Sequence, residues 1–204
     1  MSTRKISITR ILGVMVMLLG VTVIVGWAAN LPALTSIYSG WVTMKFATAL
    51  SFALMGFGVI AASSPVWDED GLLLTITGTA AVAVMFVMSG LALGLFSGGE
   101  FSDTGIKTVE ANEPSYGTML GFVLSSLALI TFAFNGTGRY ARLRRSIGPV
   151  LVVIASLALV GYATGTPALY YYFPKHSTGM AVHTALGFVA LGVALGNLQR
   201  IKHK

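Results

Sequence analysis

Hydrophobic residues along this chain come in long uninterrupted runs, separated by short polar segments. A helix of about 20 apolar residues crosses the hydrocarbon core of a bilayer and satisfies its own backbone hydrogen bonds there. The runs do not alternate between apolar and polar positions, which argues against a transmembrane β-barrel. The pattern therefore predicts an all-α membrane protein with six transmembrane helices, approximately at residues 11–29, 41–62, 72–96, 116–134, 147–165 and 178–198.

Composition supports this prediction and excludes a soluble domain. Of the 204 residues, 55% are hydrophobic and 10% are charged, and the mean hydropathy is +0.81. Charged residues make up about 25% of a soluble globular domain, so apolar area on this scale requires lipid around it. We expect residues 1–204 to form a single transmembrane domain. Because the chain has no cysteine, disulfides, thiolate metal sites and a cysteine nucleophile are excluded.

Lysine and arginine residues predict the orientation of the helices. The chain has 13 of them against 7 acidic residues, a net charge of +6. Ten precede the first run or follow the fourth or the sixth run: Arg4, Lys5, Arg10, Arg139, Arg142, Arg144, Arg145, Arg200, Lys202 and Lys204. The positive-inside rule then places both termini in the cytoplasm of a bacterial inner membrane. Basic residues that flank apolar runs in this way do not indicate a nucleic-acid partner.

The segments predicted to lie outside carry fewer basic residues, namely Lys107 and Lys175, with Lys45 close to the same boundary. Residues 97–115 form an acidic outer loop. The aromatic side chains Tyr38, Trp41, Tyr116 and Tyr170 to Tyr172 fall at the outer boundary, where amphipathic rings anchor membrane proteins. Acidic residues at 68–70 fall inside, but acids count little in the rule.

An internal repeat links the second, fourth and sixth runs. The shared positions are Met44, Thr48, Phe52 and Gly56 in the second run, Thr118 and Phe122 in the fourth, and Met180, Thr184, Phe188 and Gly192 in the sixth. The preceding runs also match, because Gly26 and Pro32 of the first correspond to Gly161 and Pro167 of the fifth. Self-similarity at this spacing predicts three pseudo-repeated helical hairpins, related by rotation about the membrane normal.

Two interpretations of the repeat stay open. Each threonine lies four residues before its phenylalanine, so the two share a helix face, and pairs such as Gly192 and Gly196 suit close helix packing. The repeat then marks packing positions. Alternatively, the threonines line an outward-opening ligand pocket. Its predicted residues are Trp27, Met44, Thr48, Thr118, Phe122, Tyr162, His183, Thr184 and Phe188.

Ionisable residues inside the runs are candidates for function because burying them in lipid is costly. The runs offer Lys45, which can extend its ammonium outward, and His183, which is either a packing residue or a ligand contact. A haem held by two histidines lacks a second histidine at matching depth, because His176 falls in an outer loop and His203 in the inner C-terminal tail. The chain has no zinc-binding spacing, nucleophile elbow or phosphate-binding loop. We therefore expect no metal or cofactor.

Two segments carry a family resemblance. One reads Gly161-Tyr162-x-Thr164-Gly165-x-Pro167-x-Leu169-Tyr170, followed by Met180-Ala-Val-His183-Thr184-Ala-Leu-x-Phe188, and the other reads Met44-Lys45 with Thr48-Ala-Leu-x-Phe52. They resemble the N-terminal multi-helix membrane region of some bacterial sensor histidine kinases and diguanylate cyclases. The resemblance implies a sensor-like role. Cytoplasmic output domains follow that region in the family, and these 204 residues contain none, so we expect no kinase or cyclase activity.

The sequence thus favours a non-enzymatic membrane module, sensor-like or accessory. We expect it to act through partner helices, as a homo-oligomer or with another membrane protein, or through a small apolar ligand. A structural subunit of a larger respiratory or photosynthetic complex is an alternative of equal standing. A small transporter or channel is a further alternative, although the runs offer a polar path only hydroxyls and one histidine and contain no carboxylate.

Overall fold

The computed structural model describes residues 7–38, 40–64, 71–96, 113–134, 140–171 and 178–198. Within these ranges the protein is helical, with turns and irregular segments and no strand. The helices are α1 (Ile8–Ala28), α2 (Pro32–Thr35), α3 (Phe46–Ala62), α4 (Leu72–Phe96), α5 (Tyr116–Phe134), α6 (Ala141–Thr164) and α7 (Val182–Gly196), and a 3-10 helix spans Pro167–Leu169.

Four of these helices are long and apolar enough to cross a membrane, namely α1, α4, α5 and α6. The other two apolar helices are shorter, with 17 residues in α3 and 15 in α7. Large apolar side chains also face outward, including Phe86 at 79% exposed, Leu93 at 68% and Val153 at 58%. Exposure of this kind is expected where lipid surrounds a protein. The all-helical class predicted from the sequence is confirmed for the described residues, and four of the helices are of the length and composition of membrane spans.

The helix boundaries agree with the predicted ones for two of the six runs, 72–96 and 116–134, and differ for the others. The first helix begins and ends slightly earlier than expected. The second begins at Phe46 rather than at 41, and the last covers Val182–Gly196 rather than 178–198. The helix predicted at 147–165 already begins at Ala141, because the arginine-rich segment before it contains good helix formers and continues the helix.

The six apolar helices α1, α3, α4, α5, α6 and α7 pack as three pairs around a common centre. Helix α1 packs on α3, α4 on α5, and α6 on α7. The second helix of each pair lies at the centre, where α3, α5 and α7 contact one another. Each first helix also packs on a central helix of another pair: α1 on α7, α4 on α3, and α6 on α5. The pair α4 and α5 therefore belongs to the same bundle as the other two pairs.

Three phenylalanine side chains meet at the centre of the bundle. The ring centroids of Phe52, Phe122 and Phe188 lie 4.8 to 5.0 Å apart, and all three side chains are fully buried. Two glycines make room for them: a Cβ on Gly121 would lie 2.6 Å from the Phe188 ring, and a Cβ on Gly187 would lie 2.7 Å from the Phe52 ring. We call these three side chains the phenylalanine cluster, and it closes the bundle centre at its level.

Many of the charged residues used to predict the orientation lie outside the described ranges. They are Arg4, Lys5, Lys107, Arg139, Lys175, Arg200, Lys202 and Lys204, the acidic residues 68–70, and most of the acidic loop 97–115. His176 of the predicted outer loop and His203 of the C-terminal tail also lie outside the described ranges. Among the described residues, Arg10 lies in the first turn of α1, and Arg142, Arg144 and Arg145 lie in the first two turns of α6. The predicted orientation stays a prediction.

Candidate functional site

The three threonines of the repeat lie on the three central helices, one turn before the phenylalanine cluster. Thr48, Thr118 and Thr184 are all buried, with exposures of 2 to 3%. The hydroxyl of Thr118 is 2.8 Å from that of Ser115, whose oxygen also accepts the Thr118 backbone N–H. We call Thr48, Thr118 and Thr184 the threonine layer. It is a buried polar layer at the N-terminal ends of α3, α5 and α7.

The chain enters α3 through a non-helical segment that lies inside the bundle. Met44 is 1% exposed, so its backbone groups require partners within the protein. Its carbonyl accepts the indole N–H of Trp27 at 3.0 Å, and its N–H donates to the Thr35 carbonyl at 2.8 Å. Both partners come from the first half of the same hairpin. The indole nitrogen of Trp27, predicted to line the pocket, is therefore used to hold the backbone.

The chain enters α7 in the same manner. Met180 is fully buried, and its carbonyl accepts the phenol of Tyr162 at 3.0 Å. Its N–H donates to the Tyr170 carbonyl at 2.9 Å. Gly161 permits the approach of this segment, because a Cβ there would lie 2.8 Å from the Leu169 Cβ. The hydroxyl of Tyr162, like the indole of Trp27, is occupied by a main-chain carbonyl.

His183 has a buried imidazole with unsatisfied hydrogen-bonding groups. The residue is 6% exposed, and neither Nδ1 nor Nε2 has a hydrogen-bond partner among the described residues. The backbone of Thr35 lies beside the ring without completing a bond of ordinary hydrogen-bond geometry. A neutral imidazole carries one donor and one acceptor, and buried polar groups are rarely left without a partner. Among the described residues at this end of the bundle, His183 is the side chain whose buried polar atoms have no hydrogen-bond partner.

Aromatic rings form a contiguous group over the same end. Trp41 lies between Tyr38 and Tyr162, with centroid distances of 5.7 and 5.1 Å. Tyr162 stacks on Tyr170 at 4.0 Å, and Tyr171 follows at 5.0 Å. The group joins the first hairpin to the third. Rings with exposed members such as Tyr38 suit the membrane–water boundary predicted for this end.

Sequence reasoning missed Arg144, which is 4% exposed at the opposite end of the bundle. Its Nη2 donates to the Leu198 carbonyl at 3.3 Å, just past the C-terminal end of α7, and its guanidinium lies 5.0 Å above the Phe132 ring. A cation beside a helix C-terminus is stabilised by the helix dipole. The sequence pattern indicates this burial, because Arg144, Ile147 and Leu151 share one helix face. The helix predicted from the sequence began at residue 147, too late to include the arginine.

The part of the chain that the structure describes contains no group of three His, Cys, Asp or Glu side chains suited to a metal ion. The expected lack of a cofactor stays a prediction. The described residues at this end of the bundle offer hydroxyls, thioethers and the imidazole of His183 in apolar surroundings, a set suited to binding a small molecule.

Comparison with known proteins returned no relative. No family model, no curated protein and no solved structure matches this chain.

Proposed function

We propose that the protein crosses a bacterial inner membrane six times, as three pseudo-repeated hairpins with both termini inside. Corresponding residues make corresponding contacts in the first and third hairpins, which supports the repeat. The side chains of Trp27 and Tyr162 each donate a hydrogen bond to the backbone carbonyl of the methionine that precedes a central helix, Met44 or Met180. The backbone N–H of each methionine in turn donates to a carbonyl earlier in its hairpin, that of Thr35 or Tyr170. The middle hairpin shares the threonine and phenylalanine positions.

Six spans require that the two short helices cross the membrane with help from adjacent backbone. The 17 residues of α3 measure about 25 Å at about 1.5 Å per residue, less than the hydrocarbon thickness of about 30 Å. The non-helical residues 42–45 extend this length by up to roughly 13 Å. Non-helical backbone is tolerated at membrane depth where it is buried in protein, and Met44 and Met180 are buried and hydrogen-bonded.

The function that this geometry supports best is a non-enzymatic membrane module, sensor-like or accessory, that recognises a small lipid-soluble ligand. The observation that carries it is the buried imidazole of His183, which has no hydrogen-bond partner among the described residues and lies at the level of the threonine layer, one turn from the phenylalanine cluster. A buried polar site above a rigid apolar centre suits ligand recognition. Coupling follows from the fold, since ligand contacts at the ends of α3 and α7 would bias the packing of helices that meet at the bundle centre.

The phenylalanine cluster counts against the transporter or channel alternative. Three fully buried rings with centroids within 5.0 Å of one another leave no aqueous path along the bundle axis at that level. Conduction would require the rings to separate and three central helices to move apart.

The test is purification of the tagged protein from native membranes in mild detergent, with mass spectrometry of proteins and of lipophilic small molecules. A defined small molecule at a fixed ratio to the protein, lost in the His183→Phe variant, is the expected result. A set of partner subunits in fixed stoichiometry, without such a molecule, would instead make this chain a structural subunit of a larger complex. The variant Leu186→Ala is the control, because Leu186 lies on the same helix and is 49% exposed.

A further inference from the structure

His183 faces the first hairpin, across the seam between α7 and α1 with α3. His183 and Gly187 are four residues apart and share a helix face. A Cβ on Gly187 would lie 2.7 Å from Phe52 of α3 and 3.0 Å from Leu19 of α1. The imidazole therefore lies one turn further toward the helix N-terminus, level with Thr48, where the Thr35 backbone runs beside it.

The groups around this seam are rich in hydrogen-bond donors. The N-terminal ends of α3 and α7 lie here, and neither is capped by the side chain of its N-cap residue, Lys45 or Ala181. Helix N-termini present free N–H groups and partial positive charge. No carboxylate occurs in α1, α2, α3 or α7. The Thr35 carbonyl, the acceptor beside the ring, already receives the N–H of Met44. What the seam lacks, among the described residues, is an acceptor placed to take a hydrogen bond from the imidazole.

The remainder of the seam is apolar and adaptable. Leu19 and Phe52 line its deeper part, and Met44 lies beside Thr35 with its side chain buried. Methionine is unbranched and repacks readily, so the Met44 side chain can shift to make room for a ligand. An apolar body would fit against these side chains while a polar head reached the imidazole.

We infer that the seam between α7 and the first hairpin binds a membrane-soluble molecule that carries an acceptor oxygen on an apolar body, with His183 donating to that oxygen. This inference rests on the proposed ligand-binding function and assigns its ligand chemistry. Two sources share this chemistry, the carbonyl of a quinone and the carboxyl group of a fatty acid. The ligand would complete the hydrogen bonding of a ring that the described residues leave unsatisfied.

The test titrates the full-length protein in detergent with decylubiquinone and, separately, with lauric acid. Binding is followed by the rise in melting temperature and, for the quinone, by quenching of tryptophan fluorescence, because the Trp27 indole is bonded to Met44. We expect one of the two probes to bind saturably. His183→Phe should weaken that binding at least tenfold, His183→Gln should keep it within about threefold, and Leu186→Ala should leave it unchanged.

Stability without ligand separates a binding role from a packing role. Because His183→Phe removes two buried unpartnered nitrogens, it should raise the melting temperature of the ligand-free protein and abolish the rise caused by the probe. Saturable binding that is unaffected by His183→Phe would overturn the inference, as would the absence of binding by both probes. If neither probe binds but a different small molecule copurifies with the protein, the inference fails while the proposed function stands. If no small molecule copurifies and partner subunits do, both fail.

Discussion

Residues of the same type in this protein differ in their packing and burial. In the pair Gly192 and Gly196, which has the spacing of a helix-packing motif, only the first glycine uses its lack of a side chain. A Cβ on Gly192 would lie 2.7 Å from the Gly148 carbonyl oxygen, whereas a Cβ on Gly196 would meet nothing within 4 Å. Arg144 likewise differs from its exposed neighbours Arg142 and Arg145, because it alone is buried.

The two glycines provide a matched pair of substitutions. Gly192→Ala should destabilise the protein by about 1–3 kcal/mol, because the backbones of α6 and α7 would have to separate. Gly196→Ala should be neutral or stabilising by up to about 1 kcal/mol, because alanine favours the helix. Unfolding in a denaturing detergent, followed by circular dichroism, measures both. Equal effects of the two substitutions would contradict the close approach of α6 and α7.

The buried arginine gives a second prediction at this scale. Arg144→Ala should lower the free energy of unfolding by about 1–3 kcal/mol, since it removes a charged hydrogen bond to the Leu198 carbonyl and the contact with the Phe132 ring. Arg145→Ala is the control, because Arg145 is exposed on the same helix turn. The same unfolding assay applies, and the prediction is wrong if the exposed residue proves as costly to replace as the buried one.

At the scale of elements, helix ends are set by where the backbone finds other partners. Both α3 and α7 begin after an extended N-cap residue, Lys45 or Ala181, and after a methionine whose backbone is hydrogen-bonded to the first half of its hairpin. The aromatic donors Trp27 and Tyr162 complete these contacts. The first and third hairpins therefore share the hydrogen bonds that hold their connecting segments as well as their helices.

Removing one aromatic donor tests whether these hydrogen bonds stabilise the protein. Tyr162→Phe should destabilise the protein by about 1–3 kcal/mol, because it leaves the Met180 carbonyl buried without its side-chain donor. Trp27→Phe should act in the same direction through the Met44 carbonyl, with an added loss of packing. Tyr38→Phe serves as the control, since Tyr38 is 65% exposed. Melting temperatures of the three variants are the measurement, and no difference from the control would show that these hydrogen bonds contribute nothing to stability.

At the scale of the whole molecule, the arrangement of three hairpins around the phenylalanine cluster supports the proposed six membrane crossings. Each central helix contacts the other two, and each peripheral helix bridges two hairpins. A central helix cannot lie on the membrane surface while it packs between helices that cross the membrane. The two short helices are therefore expected to cross the bilayer with the four long ones.

Cysteine labelling tests the number of crossings directly, because the natural chain has no cysteine. A cysteine in place of Ser64, just past α3, should be inaccessible to a membrane-impermeant maleimide in intact cells and should react after lysis. With only the four long helices crossing, and the N-terminus inside, this position would lie outside and react in intact cells. A cysteine in place of Ile37, which lies between α1 and α3 and is 54% exposed, is the control and should react in intact cells under either topology.

The sequence by itself determined the class of this protein and the approximate helices. A transmembrane helix satisfies its hydrogen bonds within a continuous stretch, so its presence is visible in local composition. The repeat also identified Phe52, Phe122 and Phe188 as equivalent positions, and the structure brings their rings together.

Tertiary structure decided where the helices stop and which polar side chains are buried. The entries to α3 and α7 depend on acceptors and donors at Thr35, Trp27, Tyr162 and Tyr170, all distant along the chain. The burial of Arg144 depends on the end of α7, and the burial of the His183 ring depends on the first hairpin. A residue's hydrogen-bond partners in space are not encoded in its neighbours along the chain, and only the packed bundle brings them together.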